Sequence, residues 1–375
     1  MRKSILIGWF GTFLQLLLRL SWGVISLPIT ILMHLNSVQV GFVATAFYIG
    51  YVISSVPWGL IIDKIGPSKA IAFASYPLII LNLILFFLFS NYVILVMVYL
   101  LEGLITAAIF PSAMKIVAVT YTSRSTYYVA LVESAGPITI IFLGLIASIL
   151  LDFWRFLYLM MAISFGVIGI LSLRTRINVQ STEIKKSFKI VLDKKITIAT
   201  LIRLGELWAT WGTTTWIFSM LVLYRHILPS LSALFLFLFG IGQLVGILNV
   251  EKLVKRLGEE KVILLNLLGF ILTTLLIIES NNLVILPEAF ILGVFSFSYR
   301  PPTDSLIMRL AGQSKAGTSI GYANAVSQIG TMIAPSFVGA VLYFTHSFFF
   351  SMLSLDLGCL ISILSLLTLR AKETA

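Results

Sequence analysis

Apolar stretches long enough to cross a bilayer follow one another along the whole of this chain, and that succession leaves few folds open. A bilayer core of about 30 Å needs roughly 20 apolar helical residues. Twelve such stretches can be marked, at about 5–33, 38–62, 70–89, 93–119, 128–150, 156–173, 196–224, 231–250, 262–279, 284–310, 318–344 and 348–369. Short polar breaks such as Ser90-Asn91-Tyr92 and Thr345-His346-Ser347 separate them. Membrane-spanning strands would alternate in polarity over about ten residues. Runs such as Pro77-Leu-Ile-Ile-Leu-Asn-Leu-Ile-Leu-Phe-Phe-Leu do not. The expected fold is all-α and integral to the membrane, with twelve transmembrane helices.

Composition agrees. The chain is 59% apolar and only 11% charged, where a soluble domain has about 25% charged residues. The first apolar stretch follows Arg2-Lys3 and is too long for a cleaved signal segment, and it shows no small-residue cleavage site. It is therefore read as a span. A single cysteine, Cys359, excludes an internal disulfide, and no Cys/His spacing suggests a metal. His34, His226 and His346 all fall at outer ends of spans, so no intramembrane His–carboxylate or HExxH site can be built. No GxxxxGK cradle is present to bind a nucleotide phosphate. Neither enzymatic chemistry, a cofactor nor direct drive by ATP is expected.

The net charge of +11 is a question of topology rather than of a nucleic-acid partner. With the N-terminus inside, inner loops and helix ends hold 21 of the basic residues and outer loops hold only Arg155 and Arg225. This positive-inside bias puts both termini in the cytoplasm of a cell-membrane protein. The longest interruption, Arg174 to Lys195, carries seven basic and two acidic residues. It reads as a cytosolic linker resting on anionic headgroups, a regulatory helix being the alternative. The expected organisation is a bundle over 1–173, a linker over 174–195 and a second bundle over 196–375.

The two halves share landmarks. Gly59-Leu-Ile-Ile-Asp63-Lys64-Ile-Gly66-Pro-Ser-Lys69 follows the second span, and Glu251-Lys-Leu-Val-Lys255-Arg256-Leu-Gly258-Glu-Glu-Lys261 follows the eighth. Aligning Gly66 with Gly258, at an offset of 192, sets Lys64 opposite Arg256 and Lys69 opposite Lys261. The fourth and tenth spans repeat a glycine and, eight residues on, a proline: Gly103/Pro111 and Gly293/Pro301, at an offset of 190. Two pseudo-symmetric six-helix bundles are the architecture of a duplicated transporter, whose substrate site lies near mid-membrane.

In these motifs the chain resembles the major facilitator superfamily. Gly59 to Lys69 is similar to its signature loop, G-x-x-x-D-[RK]-x-G-x-x-[RK], in its usual place between spans two and three. Trp154-Arg155-Phe156 and Leu101 to Pro111 fit its pattern as well. The resemblance implies a cytoplasmic gate at Gly59, Asp63, Lys64, Gly66 and Lys69. Asp63 there would meet an inner helix N-terminus or a basic residue of the opposite half, while Gly59 and Gly66 would allow close helix approach and a tight turn. Solvated loop charges are the plainer reading.

Ionisable residues deep in a span suggest function. Arg19 lies about fourteen residues into the first span, followed by Ser21-Trp22-Gly23. Its fork of donors suits carboxylate or phosphate; a carboxylate within the protein is the competing partner. Organic-anion members of the superfamily, such as the anion:cation symporters, hold their substrate with a first-span arginine at similar spacing. Their fourth-span R-x-x-x-G-x-x-E-A-P-x-F-P keeps its glycine and Phe-Pro here, as Gly103 and Phe110-Pro111, with Tyr99 and Thr106 in place of the charged pair.

Trp22, Tyr99, Trp211, Thr214 and Arg300 join Arg19 as candidate substrate-binding residues. Span seven interleaves Trp208, Trp211, Thr213, Thr214, Thr215 and Trp216, which suits a cavity lining. Arg203 and Glu206 at i,i+3 read as a local pair, and so do Arg300 and Asp304 at i,i+4. Pro301-Pro302 should break span ten and free carbonyls there. Glu102, with no base at helical spacing, is the preferred proton carrier, and Asp304 is a second. Glu133 and Asp356 read as structural.

The expectation is a monomeric secondary transporter of a small organic anion, working by alternating access with H+ as coupling ion. Efflux of amphipathic or cationic compounds is the alternative within transport. A non-transporting sensor or scaffold is the alternative of another class.

Overall fold

A computed structural model describes residues 3–87, 91–120, 125–175, 193–281, 284–312 and 316–374, with the side chains at 125–127, 316–318 and 372–374 left aside. The central linker thus lies almost wholly outside the described residues, as do Arg2, Arg124 and Lys315. Every element described is α-helical. Nine stretches among the described residues are long and apolar enough to cross a membrane. One of them, Tyr128–Arg174, runs 47 residues and is kinked at Phe153 (φ −114°, ψ 24°). The expected seventh and tenth spans are helical too, but their polar content keeps them out of the nine.

The helices form two compact units, one of Met1–Leu35 with Phe42–Ile184, the other of Asn36–Gly41 with Lys185–Ala375. The first contains α1 (Lys3–Leu20), α2 (Trp22–Met33), most of α3 (Ser37–Ile65), α4 (Pro67–Phe87), α5 (Tyr92–Thr106), α6 (Ile109–Thr120), α7 (Ser125–Glu133) and α8 (Ala135–Arg174). The second contains α9 (Lys194–Leu223), α10 (Pro229–Leu257), α11 (Glu259–Glu279), α12 (Ile285–Phe297), α13 (Arg300–Ala311), α14 (Ala316–Thr345) and α15 (Phe348–Thr374). In the first unit α4 packs along α8, and α1 lies against α6 and α8. In the second, α10 packs along α12, and α9 is held by α14 and α15.

Local chemistry explains where the helices start and stop. The polar break before the fourth span is a helix cap: Asn91 Oδ1 accepts from the Val93 and Ile94 amides at 2.8 and 3.4 Å. Asp193 caps α9 in the same way, accepting from Lys195 and Ile196 at 2.9 and 3.3 Å. Each satisfies amides that a helix start leaves without a partner. Between α3 and α4 the chain turns through Gly66 at φ 87°, and between α10 and α11 through Gly258 at φ 83°. A side chain is strained in that left-handed conformation. The two aligned glycines of the repeat are therefore the same turn made twice.

The repeat is physical as well as textual at one further place. A Cβ on Gly50 would strike the Leu100 carbonyl, and one on Gly103 would strike that of Phe47. In the second unit Gly242 lies in the same way against Phe290, and Gly293 against Phe239. The two units thus share a reciprocal glycine crossing that brings two backbones into contact, which larger residues forbid, and the second unit adds another between Gly205 and Gly358. Gly59 departs from expectation: nothing lies within 4 Å of a Cβ built on it, so this glycine serves no close approach among the described residues.

These contacts set a test of the crossing. Gly103→Leu and Gly293→Leu must displace backbone rather than a flexible side chain, so each should cost more than the roughly 1–3 kcal/mol of ordinary overpacking. Gly59→Ala should hold or raise stability, because alanine favours the helix by about 1 kcal/mol over glycine. Thermal unfolding in detergent reads both, and equal stability of all three variants would refute the crossing.

Candidate functional site

Each unit buries its own polar group of residues. In the first, the opening span breaks at Ser21, between α1 and α2, and the Ser21 hydroxyl turns back to the Leu18 carbonyl at 3.1 Å. Arg19 occupies the last turn before this break, with its guanidinium over the ring of Tyr48, 5.4 Å from the centroid. A cation held against the face of a ring is attracted by the ring quadrupole, while the edge of the guanidinium keeps its donors. Trp22, just past the break, packs edge-on against Tyr99, with ring centroids 5.0 Å apart. The Tyr99 hydroxyl in turn meets that of Tyr158 on α8 at 2.9 Å. Two expected site residues, Trp22 and Tyr99, therefore touch each other. Tyr158 and Tyr48 enter as residues that sequence reasoning had not singled out.

Glu102 lies one turn beyond Tyr99 and is fully buried. Neither of its carboxyl oxygens has a hydrogen-bond partner among the described residues. Its charge would reach the Tyr99 and Tyr158 hydroxyls. An ionised carboxylate without a donor or cation is costly in such surroundings. Four residues on, Thr106 returns its hydroxyl to the Glu102 carbonyl at 2.7 Å. The helix then breaks at Ala107-Ala108, because Pro111 has no N–H to offer the Ala107 carbonyl.

The second unit breaks its tenth span at Ser298-Tyr299, as Pro301-Pro302 led one to expect. Both prolines lack the amide that the Phe297 and Ser298 carbonyls would take. Tyr299 swings its hydroxyl to α9, donating to the Glu206 carbonyl at 2.6 Å and touching Thr210. Thr210 donates to the Ser296 carbonyl at 2.5 Å. The Glu206 carboxyl accepts from Thr303 at 2.5 Å through Oε1, and its buried Oε2 has no hydrogen-bond partner among the described residues.

Here the local pairings read from spacing are corrected. Asp304 is bonded by Arg203, across from α13 to α9, and the second guanidinium nitrogen of Arg203 meets Asn324 Oδ1 on α14 at 3.3 Å. Helix packing decides this: α9 and α13 are neighbours, so Arg203 faces Asp304 while the Glu206 carboxyl, one turn on, faces Thr303. Arg300 lies over the ring of Phe297, 5.8 Å from the centroid. Glu206 feels the charges of Arg203, Arg300 and Asp304 together. The four make a balanced, mostly buried group.

Span seven is buried nearly all round, and its aromatic groups are bonded to neighbouring helices. The Trp208 indole donates to the Ser354 carbonyl at 2.9 Å, and the Trp216 indole to that of Pro335 at 2.9 Å. Trp211 is buried, and Thr214 returns its hydroxyl to the Trp211 carbonyl at 3.1 Å.

At the end of the first signature loop, Asp63 is bonded by Lys115 of its own unit at 2.9 Å. Lys64 and Lys69 are exposed.

All-helical, with repeated apolar spans and ionisable residues buried in both units, the chain is a multi-pass membrane transporter and not an enzyme. Residues 9–335 match the Major Facilitator Superfamily, to which the chain belongs. Comparison with curated proteins returns no match. Solved structures similar to it include the nucleoside transporter NupG, at TM-score 0.79 and 12% identity over 99% of each chain. A bacterial homolog of the human lysosomal transporter Spinster, inward-facing and unoccupied, gives 0.78 and 13% over 98% of this chain and 96% of that one. A D-xylose–proton symporter gives 0.77 and 13% over 97% and 95%. At such identity these likenesses speak for the fold alone.

The Arg203–Asp304 bond yields a prediction. Removing one partner should cost about 3 kcal/mol, because the other charge is left buried, whereas Arg203→Met with Asp304→Leu should recover most of it. A double-mutant cycle on detergent unfolding should give a coupling of roughly 1–3 kcal/mol. Additive single effects would rule the pair out.

Proposed function

We propose that the chain is a secondary active transporter of a small organic anion, working by alternating access and coupled to protons. In this reading twelve spans cross the cell membrane as bundles over 1–173 and 196–375. Both termini and the linker over 174–195 are cytoplasmic, and a monomer suffices. Arg19 anchors the anion through its guanidinium. Trp22, Tyr99, Trp211, Thr214 and Arg300 contribute to recognition. The Asp63–Lys115 bond, with Lys64, Lys69 and the Gly66 turn, holds the inner end of the first bundle in shape as the gate cycles.

Glu102 carries the coupling. A carboxyl that is buried beside two tyrosine hydroxyls, with both oxygens lacking hydrogen-bond partners, is tolerated in hydrocarbon as the neutral acid. When the cycle opens the site to water, the same group can release its proton. Asp304, bonded to Arg203, keeps its charge compensated and is the lesser candidate. The D-xylose–proton symporter of the same fold supports proton drive as a mode this scaffold accommodates.

Two measurements in proteoliposomes test the reading. Glu102→Gln should abolish accumulation driven by a pH gradient while leaving substrate counterflow intact. Unchanged pH-driven accumulation would remove Glu102 from the coupling.

Thermal stabilisation across carboxylates, phosphates, sugars and organic cations tests the anchor. An anion should stabilise the wild type and bind Arg19→Gln roughly ten- to a hundredfold more weakly, as expected for loss of charge-assisted hydrogen bonds. Stabilisation by organic cations alone would favour efflux of cationic compounds instead.

A further inference from the structure

The second copy of the signature loop departs from the first in a way that the transport cycle does not use. It begins Glu251-Lys252-Leu-Val-Lys255-Arg256, and Lys252 and Arg256 stand one helical turn apart on the exposed end of α10. Lys252 aligns with Leu60 of the first copy, so the first unit has no equivalent pair.

Their surroundings differ from those of the neighbouring bases. Lys255 is bonded by Glu251 at 2.6 Å, Arg309 by Glu259 and Glu260 at 3.0 and 3.3 Å, and Arg370 by Glu260 at 2.7 Å. Lys252 and Arg256 have no ion-pair partner among the described residues. Both line a groove of about 390 Å³ between α10, α11 and α12. Lys261, the other base of the loop, lies outside it.

The groove's walls are Val245, Leu253, Leu265, Val294 and Phe295, with Asn249 near the basic rim. Val245 and Leu265 are exposed on its sides, so it opens laterally, where acyl chains lie. Its volume is that of a ligand pocket rather than of a packing defect. Two uncompensated cations at the mouth of an apolar groove on a helix end match one occupant: a phospholipid with a net negative headgroup, phosphate on the bases and chain along the valines and leucines. A zwitterionic lipid would fill the apolar part and leave the cations unanswered.

We propose that this groove is a selective site for one anionic phospholipid, held by Lys252 and Arg256. Occupancy braces α10 against α11 and α12, so the lipid tunes the stability of the second unit independently of substrate.

The test is native mass spectrometry and thermal unfolding of the full chain in detergent, titrated with phosphatidylglycerol or phosphatidylcholine. Binding of phosphatidylglycerol with a raised unfolding temperature is expected, and its preference over phosphatidylcholine should fall about thirtyfold in Lys252→Gln/Arg256→Gln. Lys255→Gln/Lys261→Gln removes equal charge outside the groove and should keep the preference. Equal loss in both pairs would mean diffuse surface attraction and overturn the site, as would no preference in the wild type. Glycerol phosphate without chains should not stabilise; if it does so as well as the lipid, the site is for a free phosphate and the lipid assignment fails. Lipid binding in detergent is independent of Arg19 and Glu102, so failure here and failure of the transport reading are separable.

Discussion

The contact on which the rest depends is the glycine crossing that the two units share. Lipid offers no hydrophobic drive between helices, so association rests on close packing and on polar bonds. Gly50 with Gly103, and Gly242 with Gly293, let backbone meet backbone. In each unit the helix that crosses then breaks within about a turn, at Ala107-Ala108 and at Ser298-Tyr299. The order is causal. A broken helix in a bilayer exposes carbonyls that only nearby protein can accommodate, and a tight crossing beside the break supplies that protein. Thus Glu102, next to Gly103, and the Tyr299–Asp304 group, just past Gly293, both sit where backbone is anchored on one side and irregular on the other.

The two units use the same scaffold to opposite electrostatic ends. Beyond the first crossing stands a single acid with no bonded partner. Beyond the second stand two acids and two arginines, with Arg203 bonded to Asp304 and Thr303 to Glu206. A lone buried acid is easy to discharge by a proton and hard to hold ionised. A balanced group resists change of charge and instead specifies which helices meet, at some cost in stability relative to apolar packing. On the proposed reading, the first unit's acid moves the proton, while the second unit's group fixes α9, α13 and α14. Both units keep the crossing and the turn glycines, while their polar side chains differ.

What could be read from the sequence follows from the range of each interaction. The helix break at Pro301-Pro302 depends on missing N–H groups four residues from their carbonyls, and it was legible. So was the left-handed turn at Gly66, whose aligned glycine repeats it. Nearest-neighbour electrostatics misled: Arg203 with Glu206 and Arg300 with Asp304 satisfy helical spacing, yet Asp304 is bonded from another helix about a hundred residues away in sequence. Spacing says which pairs can meet and not which face a neighbour covers. Asp63 shows the same limit, since its partner Lys115 follows only from the packing of the first unit. Tyr158 and Tyr48 were missed for a different reason. An aromatic residue in a hydrophobic span carries no mark of the bond its hydroxyl will make.

Gly59 and the loop copy after α10 extend that lesson to motifs. The first loop matches its family pattern, yet Gly59 serves no close approach among the described residues, so the pattern alone does not say which physical demand each position meets. The second loop matches poorly, and its departures carry information. Where the first copy has an apolar Leu60, the second has Lys252, and the added base faces an apolar groove rather than an acid. A charge left uncompensated at the edge of a hydrocarbon surface is unfavourable unless the surroundings answer it. In a membrane the surroundings include lipid headgroups, so a residue that looks unpaired within the protein can be paired by its solvent.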